Sequence, residues 1–327
     1  MPNEDLGEML SRVADSLYWM SRYLERAEHT ARLLDVHSIL MLEQVGKSQD
    51  NKRWSRVLDA LRVPITLESS DFETYINRMT LDNNLNYSVI SAIRFARENA
   101  RQIRERISTE MWNELNQFYL FVMNGISDTS QGQLHDFLME VRNRTHTFQG
   151  ITDSTLSHNE GWHFIQLGRA LERAVSVSAL LDVQYADVYD FHTIGTIDEY
   201  FDWLALLKSC TAFEAYSKVY SADLRPNRIA EFLLLSEEFP HSVRFCVDSL
   251  QQSLSAIASA TGTSRNSRVH RLAGRLHASL NFDQIDEIIE SGLQAYLRDI
   301  QTQCASIHKL VYETYISYPV DSVLSEG

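Results

Sequence analysis

The sequence has little glycine, proline or cysteine. It contains 12 Gly and 5 Pro among 327 residues, and because these residues interrupt regular structure, their scarcity predicts long helices. The three cysteines, Cys210, Cys246 and Cys304, are odd in number and far apart, which excludes a disulfide framework and a paired-cysteine zinc motif. We expect all three to be small buried side chains on helices.

Long apolar runs are also missing. No stretch approaches the roughly 18 apolar residues that a membrane-spanning helix needs. The first eight residues carry three acidic side chains, and no apolar segment of the kind found in a secretion signal follows them. We therefore expect a cytoplasmic protein without membrane association. The formal net charge of −14 argues against nucleic-acid binding, because that function needs a positive surface to displace phosphate counterions.

Lysine is scarce relative to arginine, with 5 Lys against 25 Arg. The planar guanidinium group of arginine binds a carboxylate or a phosphate through two parallel hydrogen bonds, which lysine cannot do. Two explanations are open at this point. The arginines could reflect genomic composition together with structural ion pairs, or they could recognise anionic groups.

The chain repeats part of itself. Residues 22–36 read R-Y-L-E-R-A-E-H-T-A-R-L-L-D-V and residues 169–183 read R-A-L-E-R-A-V-S-V-S-A-L-L-D-V, so nine of fifteen positions are identical at a constant offset of 147. A weaker similarity relates residues 81–89 to residues 235–243. We therefore predict that the chain contains two copies of one helical unit.

The apolar spacing predicts an all-α fold. From Leu10 to Leu34 apolar residues recur at alternating spacings of three and four, which is typical of a helix that packs lengthwise in a bundle. Further helices are predicted at 52–63, 70–80, 87–107, 110–125, 134–148, up to about 188, 198–220, 226–235, 240–260, 267–280 and 283–315, with a loop at 150–162. The predicted architecture is one compact, elongated helical bundle built from two similar repeats.

The predicted boundaries follow from this pattern. They are a first helical repeat at 1–127, a connecting helix and loop at 128–160, a second helical repeat at 161–318 and a flexible tail at 319–327.

Both copies of the repeat carry the motif Arg-x-x-Glu-Arg. Positions i, i+3 and i+4 share one face of a helix, which groups Arg22, Glu25 and Arg26 in the first copy and Arg169, Glu172 and Arg173 in the second. Both groups border the apolar seam, so their charges would be partly buried and would need partners. If the copies pack about a two-fold axis, the groups could face each other as one anion-binding site. A salt-bridge network and direct catalysis are the alternatives.

A second arginine-rich stretch lies at residues 94–104, where Arg97 and Arg101 belong to a basic stripe on one predicted helix face. We regard both as candidate ligand-binding residues, with a solvated ion-pair face as the alternative. A metal site is not predicted, because Glu25 and His29 have the spacing Glu-x-x-x-His whereas di-metal bundles use Glu-x-x-His. Ser176 replaces His29 in the second copy. We therefore predict neither a metal nor another cofactor.

Several blocks of the sequence resemble one bacterial family. The N-terminal block L-S-R-V-A-D-S-L-Y-W-M-S-R-Y-L-E-R-A-E-H-T-A-R-L-L is similar to the signature of the alpha-E family, an all-helical domain named for its Glu-Arg motif. Residues 96–116, 150–174, 209–216 and 232–246 resemble its later blocks, in the same order. The resemblance covers nearly the whole chain.

The resemblance implies a bacterial cytoplasmic protein that acts with a circularly permuted ATP-grasp protein, often with a transglutaminase-like protein as well. Such sets are thought to make or modify a peptide by ATP-driven amide ligation. No activity of the alpha-E domain itself is implied, so the resemblance suggests a partner and not a mechanism.

Three functions remain open from the sequence. The chain could be an accessory subunit in which Arg22, Arg26, Arg169 and Arg173 hold an anionic peptide or acyl-phosphate group. It could instead be an acyl- or aminoacyl-transfer enzyme with Glu25 or Glu172 as general base, or a scaffold in which the charges serve only docking. A base needs a raised pKa, but neighbouring arginines lower the pKa of a carboxyl group, which favours binding over catalysis.

Overall fold

The computed structural model describes residues 3–43, 47–63, 72–125, 131–186, 188, 190–221 and 223–317. Within these ranges the chain is helical and contains no strand. The helices are α1 (Asn3–Glu43), α2 (Lys47–Ala60), α3 (Phe72–Leu81), α4 (Val89–Gln102), α5 (Thr109–Asn124), α6 (Gln131–Thr155), α7 (Glu160–Gln184), α8 (Ile197–Ser209), α9 (Phe213–Tyr220), α10 (Pro226–Leu235), α11 (Val243–Thr261), α12 (Arg268–Phe282), α13 (Ile285–Ser291) and α14 (Leu293–Val311). A 3-10 turn covers Arg104–Arg106 and a π-helical turn covers Tyr312–Ile316.

The predicted seam of α1 is buried. Leu17, Leu24, Ala31 and Leu34 all have at most 3% of their surface exposed, and α1 packs against α4, α6 and α7. At 41 residues it spans about 60 Å, which makes it the long axis of an elongated bundle. Burial of the apolar stripe from water is the force that places α1 at the centre.

The second motif-bearing helix, α7, is the other central element. It packs against α1, α11 and α14. One continuous apolar core includes residues from α1 through to the π-helical turn. The three cysteines are free and buried within it, and burial raises the pKa of each thiol to about 12. Across the described residues, none of the helices has the length and apolar character that crossing a bilayer requires.

The predicted loop at 150–162 is mostly wrong. Helix α6 continues to Thr155, because Phe148 and Thr152 face the core with 2% exposure each and the Thr152 hydroxyl donates to the Phe148 carbonyl (2.8 Å). Tertiary packing here outweighs the low helix propensity of the segment. The N-cap of α7 is Asn159, whose side chain accepts a hydrogen bond from the Gly161 amide.

Two predicted single helices are each divided in two. The predicted helix 198–220 is interrupted at Thr211, which has a φ of 54°, and the predicted helix 283–315 is interrupted at Gly292, which has a φ of 110°. A right-handed helix cannot pass through a residue of positive φ.

The predicted division into two helical repeats within one compact unit remains a prediction. The boundary between residues 127 and 128 and the tail at 319–327 lie outside the described residues.

Candidate functional site

Helices α1 and α7 run side by side in the same direction. Leu17 lies beside Gly161, Ser21 beside Gly168 and Arg22 beside Glu172, so the residue numbers rise together along both helices. The closest approach is at Gly168, where an added Cβ atom would lie 2.3 Å from the Ser21 hydroxyl oxygen and 2.5 Å from the Tyr18 carbonyl oxygen. Ser21 and Gly168 occupy equivalent positions in the repeated segments, so the closest contact pairs two corresponding small residues.

The two Arg-x-x-Glu-Arg groups meet immediately C-terminal to this contact on both helices. The Nε groups of Arg22 and Arg26 on α1 each donate to one carboxylate oxygen of Glu172 on α7, both at 2.7 Å. In the opposite direction, Arg173 on α7 donates through Nε (2.5 Å) and a terminal nitrogen (2.9 Å) to the two carboxylate oxygens of Glu25 on α1. We call these contacts the crossed ion pairs. They join the helices, and neither helix pairs its own motif residues with each other.

Burial and pairing fix the charge of Glu172. Burial alone would raise the pKa of this carboxyl group, but the charges and hydrogen bonds of Arg22 and Arg26 outweigh burial and lower the pKa to about 2. Burial alone would lower the pKa of Arg22 and of Arg173. The charge of Glu172 beside Arg22 and that of Glu25 beside Arg173 outweigh burial, so both pKa values are raised. A carboxylate with so low a pKa is a weak proton acceptor at neutral pH, which argues against Glu172 as a general base.

The arginines at equivalent positions of the two motif copies do not make equivalent contacts. Arg169 occupies the repeat position of Arg22, yet it donates to the side-chain oxygen of Gln166 (2.5 Å) and not to Glu25. Among the described residues it has no carboxylate in hydrogen-bond contact. Burial and the neighbouring charge of Arg173 lower the pKa of Arg169. Three guanidinium groups therefore share the two motif carboxylates and the fourth, that of Arg169, has none, which leaves excess positive charge among the six motif residues.

Three aromatic residues that the motif analysis did not single out complete the surroundings of Arg22. A terminal nitrogen of Arg22 donates to Nδ1 of His308 (3.1 Å), the Tyr18 hydroxyl lies 2.9 Å from the same atom, and the guanidinium group lies 4.7 Å from the Trp19 ring centre. An imidazole nitrogen that accepts from arginine belongs to a neutral ring. Burial and the charge of Arg22 lower the pKa of His308 to about 4, in agreement.

Sequence could have indicated two of these three residues. Tyr18 and Trp19 precede Arg22 by four and three positions, so helical spacing places them next to it. His308 gives no comparable signal, because it lies 286 residues away in the chain and reaches Arg22 only through the packing of α14.

Arg97 and Arg101 are not brought into the crossed ion pairs by any contact in the described part of the chain. Arg97 donates to the side-chain oxygen of Asn116 on α5 (2.9 Å) and its guanidinium group lies 4.5 Å from the Tyr119 ring centre. Arg101 pairs with Glu98 on its own helix, and both side chains are exposed. The Arg97 contacts attach α5 to α4, and the Arg101–Glu98 contact is a solvated surface ion pair.

A further polar group lies on α1, one turn beyond the crossed ion pairs. Glu28 accepts hydrogen bonds from Arg32 and lies 3.8 Å from Nε2 of His146 on α6. His29 is buried, and burial lowers the pKa of its imidazole. In the part of the chain that the structure describes, no group of three or more His, Cys, Asp or Glu side chains is arranged to hold a metal ion.

We predict that acid weakens the fold in two steps. Burial and nearby arginines lower the pKa of His37 and of His308 from 6.5 to about 4, so the unfolded chain binds their protons first and stability falls as the pH drops from 6.5 towards 4. The lowered pKa of Glu172 contributes stability that is fully present above pH 4.5 and is lost as the pH falls towards 2, which amounts to about 3 kcal/mol.

Urea unfolding at pH values from 8 to about 3 measures both steps. The Glu172→Gln variant should have a smaller lower step, because the lowered pKa of Glu28 still contributes there, and should keep the upper one. An unfolding free energy of the wild-type protein that stays constant from pH 7 to pH 4 would contradict the lowered pKa values of His37 and His308.

Comparison with known proteins finds related sequences and a matching family. The chain is 24% identical over 323 residues to an uncharacterised protein of Mycobacterium bovis and, at the same identity, to uncharacterised proteins of two Mycobacterium tuberculosis strains. Each alignment covers 91% of this chain but 35% of the relative, so the chain spans about a third of the length of the curated relatives it matches. No solved structure matches the chain. A family model described as a predicted alpha-helical domain with a conserved ER motif matches residues 9–316, and the chain therefore belongs to the Alpha-E family.

Proposed function

We propose that this chain is a cytoplasmic accessory subunit of an ATP-grasp amide ligase and that its α1–α7 crossing holds an anionic group of the ligase substrate. The group would be a peptide carboxylate or the acyl phosphate formed from it. A transglutaminase-like protein is a possible third component of the set. The observation that carries the proposal is the excess of guanidinium groups over carboxylates at the crossing.

Two of the four arginines have hydrogen-bond donors available. Arg26 uses only its Nε on Glu172, so its terminal nitrogens have no acceptor among the described residues, and its side chain is 29% exposed. Arg169 binds the neutral oxygen of Gln166. Guanidinium nitrogens of a partly desolvated side chain that have no carboxylate acceptor are stabilised by an anion that supplies two acceptor oxygens. Carboxylate and phosphoryl groups both have this geometry.

The other two arginines have a different role in this proposal. Arg22 and Arg173 are almost fully committed to Glu172, His308, Glu25 and the Pro240 carbonyl. They hold α1 against α7 and so keep Arg26 and Arg169 in place. The structural alternative therefore accounts for Arg22 and Arg173, while anion binding rests on Arg26 and Arg169. The low pKa of Glu172 disfavours the acyl-transfer alternative.

The lengths of the relatives also support an accessory role. Because the chain aligns with only 35% of each mycobacterial protein, the domain is accompanied there by other sequence in the same polypeptide. This arrangement fits a domain that works beside a catalytic partner. In the present proposal the partner is the circularly permuted ATP-grasp protein.

The first experiment is affinity purification of the tagged chain from its native host, with the bound proteins identified by mass spectrometry. We expect stoichiometric recovery of an ATP-grasp protein. In the reconstituted complex, Arg169→Gln should leave the partner bound but lower substrate-dependent ADP formation about tenfold or more, because one charged hydrogen-bond donor to the substrate is lost.

Arg271→Gln on α12 is the matched control, since Arg271 is exposed and contacts only the Asn266 carbonyl on its own loop. It should keep full activity. Recovery of the chain without an ATP-grasp protein would remove the accessory role. A fully active Arg169→Gln complex would remove the anion site and leave a structural scaffold.

A further inference from the structure

A cavity of about 770 Å³ lies away from the crossed ion pairs, where residues 11–17 of α1 pass the first turn of α7. The end of α11 and the π-helical turn after α14 close its other sides. Its volume lies within the range of roughly 300–1,000 Å³ that is typical of small-molecule sites.

The cavity exists because α1 and α7 separate as they leave their closest contact. At Gly168 an added Cβ atom would strike the backbone of α1, whereas at Gly161, two turns earlier, it would meet only the tip of the Leu17 side chain on that helix (3.1 Å). The gap is lined by residues that correspond in the repeat, Ala14 with Gly161 and Leu17 with Phe164.

The lining combines an apolar floor with a small number of charges. Ala14, Leu17 and Phe164 are buried, with at most 6% exposure. The charged groups at the walls are one guanidinium, Arg106, and two carboxylates, Glu160 and Glu313. Thr261, Thr263 and Tyr315, which carry hydroxyl groups, also line the cavity.

The charged groups of the cavity have few ion-pair partners among the described residues. Arg106 on the 3-10 turn has no carboxylate partner among the described residues, and Glu160 has no described ion pair. Glu313 pairs only with Lys309, at 3.8 Å, where both side chains are at least half exposed, and such a pair contributes little. All three groups are therefore available to a ligand at small cost.

The part of the cavity wall that contains Tyr315 is held in position by two contacts. The Tyr315 hydroxyl lies 2.9 Å from Nε2 of buried His270, and its ring meets the Phe164 ring edge-on at 6.0 Å. Tyr315 belongs to the π-helical turn Tyr312–Ile316, a distortion that is found frequently at functional sites. The turn directs both Glu313 and Tyr315 to the cavity.

We infer that this cavity binds an amino acid or short peptide with an apolar side chain and free ends. Arg106 matches the carboxylate end, Glu160 and Glu313 match the ammonium end, and the floor of Ala14, Leu17 and Phe164 covers the side chain. Two carboxylates against one guanidinium disfavour a phosphate-bearing ligand. A wholly apolar ligand is also disfavoured, because it would desolvate these charges without pairing them.

This inference concerns a different site from the proposed anion site at α1–α7 and does not depend on an ATP-grasp partner. It is tested by titration calorimetry of the purified full chain with four probes. They are leucylleucine with both ends free, its N-acetyl form, its C-terminal amide, and the form with both ends blocked. We expect the free dipeptide to bind and each blocked end to weaken binding about tenfold, as for a lost charged hydrogen bond.

Variants assign each end to its partner. Arg106→Gln should abolish the preference for a free carboxylate and leave the preference for a free ammonium group, and the double change Glu160→Gln with Glu313→Gln should do the reverse. Arg104→Gln and Glu105→Gln, on the same 3-10 turn but outside the cavity lining, should bind all four probes as the wild type does.

All of these positions are at or near the surface, so the variants should fold, which circular dichroism checks. The inference is overturned if leucylleucine does not bind the folded wild-type chain at millimolar concentration. Equal binding of the four probes would overturn it too, as would unchanged end preferences in the variants.

Discussion

Replacing Glu172 by glutamine is expected to lower the free energy of unfolding by roughly 3–5 kcal/mol. Glu172 is 5% exposed and is the shared acceptor of Arg22 and Arg26. Glutamine has the same shape but carries no charge and offers one acceptor oxygen in place of two. The change leaves the nearly buried Arg22 guanidinium without its counter-ion, and an uncompensated buried charge is among the most destabilising changes that a single substitution causes.

Glu98→Gln provides the matched control, because Glu98 also binds an arginine but in an exposed pair, with 44% of its side chain accessible. Its loss should cost less than about 1 kcal/mol. Unfolding is best measured in urea, since guanidinium chloride would screen the charges under test. Equal destabilisation by the two substitutions would show that the crossed ion pairs do not hold α1 against α7.

The central part of this arrangement could be predicted from sequence because it depends on local periodicity. The heptad spacing from Leu10 to Leu34 requires one buried face, and a motif at i, i+3 and i+4 must border that face. The repeated motif raised the possibility that Arg22 and Glu172 approach each other, and their 2.7 Å contact shows that they do. The lowered pKa of Glu172 has the predicted sign, because two guanidinium groups outweigh burial.

Other features depend on tertiary packing and had no local signal. The contact of His308 with Arg22 arises because α14 packs on α7. Arg169 and Arg22 have the same motif position, so their sequences predict equal roles, yet Arg169 binds Gln166. The neighbouring residues at the same place in the repeat also differ, with Gln166 beside Arg169 and Trp19 beside Arg22.

The close contact at Gly168 also had no clear signal in the sequence. A single glycine within an apolar helical segment is a weak signal, since such a residue is tolerated at a cost of about 1 kcal/mol. Only the structure shows that the Tyr18 carbonyl occupies the space that a side chain would fill. Replacing Gly168 by alanine should therefore lower the stability, whereas the same replacement inside a helix usually raises it.

Gly168→Ala is expected to destabilise the protein by roughly 1–3 kcal/mol, although glycine to alanine inside a helix ordinarily stabilises it by up to about 1 kcal/mol. The new methyl group would lie 2.5 Å from the Tyr18 carbonyl oxygen, an atom of the α1 backbone that cannot rotate away. Gly150→Ala is the matched control on α6, because an added Cβ there meets no atom within 4 Å. Thermal or urea unfolding should therefore give opposite signs for the two substitutions.

Gly168→Ala should weaken the crossed ion pairs in addition to lowering the stability of the fold. To relieve the contact, α1 and α7 must move apart next to Arg22 and Glu172, whose 2.7 Å hydrogen bond has little tolerance for added distance. The acid step assigned to Glu172 should then become smaller, because a weaker ion pair lowers its pKa less. Adding Ser21→Gly removes the hydroxyl that lies 2.3 Å from the new methyl group and should restore part of the lost stability. A Gly168→Ala protein as stable as Gly150→Ala, with an unchanged acid step, would mean that the close contact does not set the spacing of the crossed ion pairs.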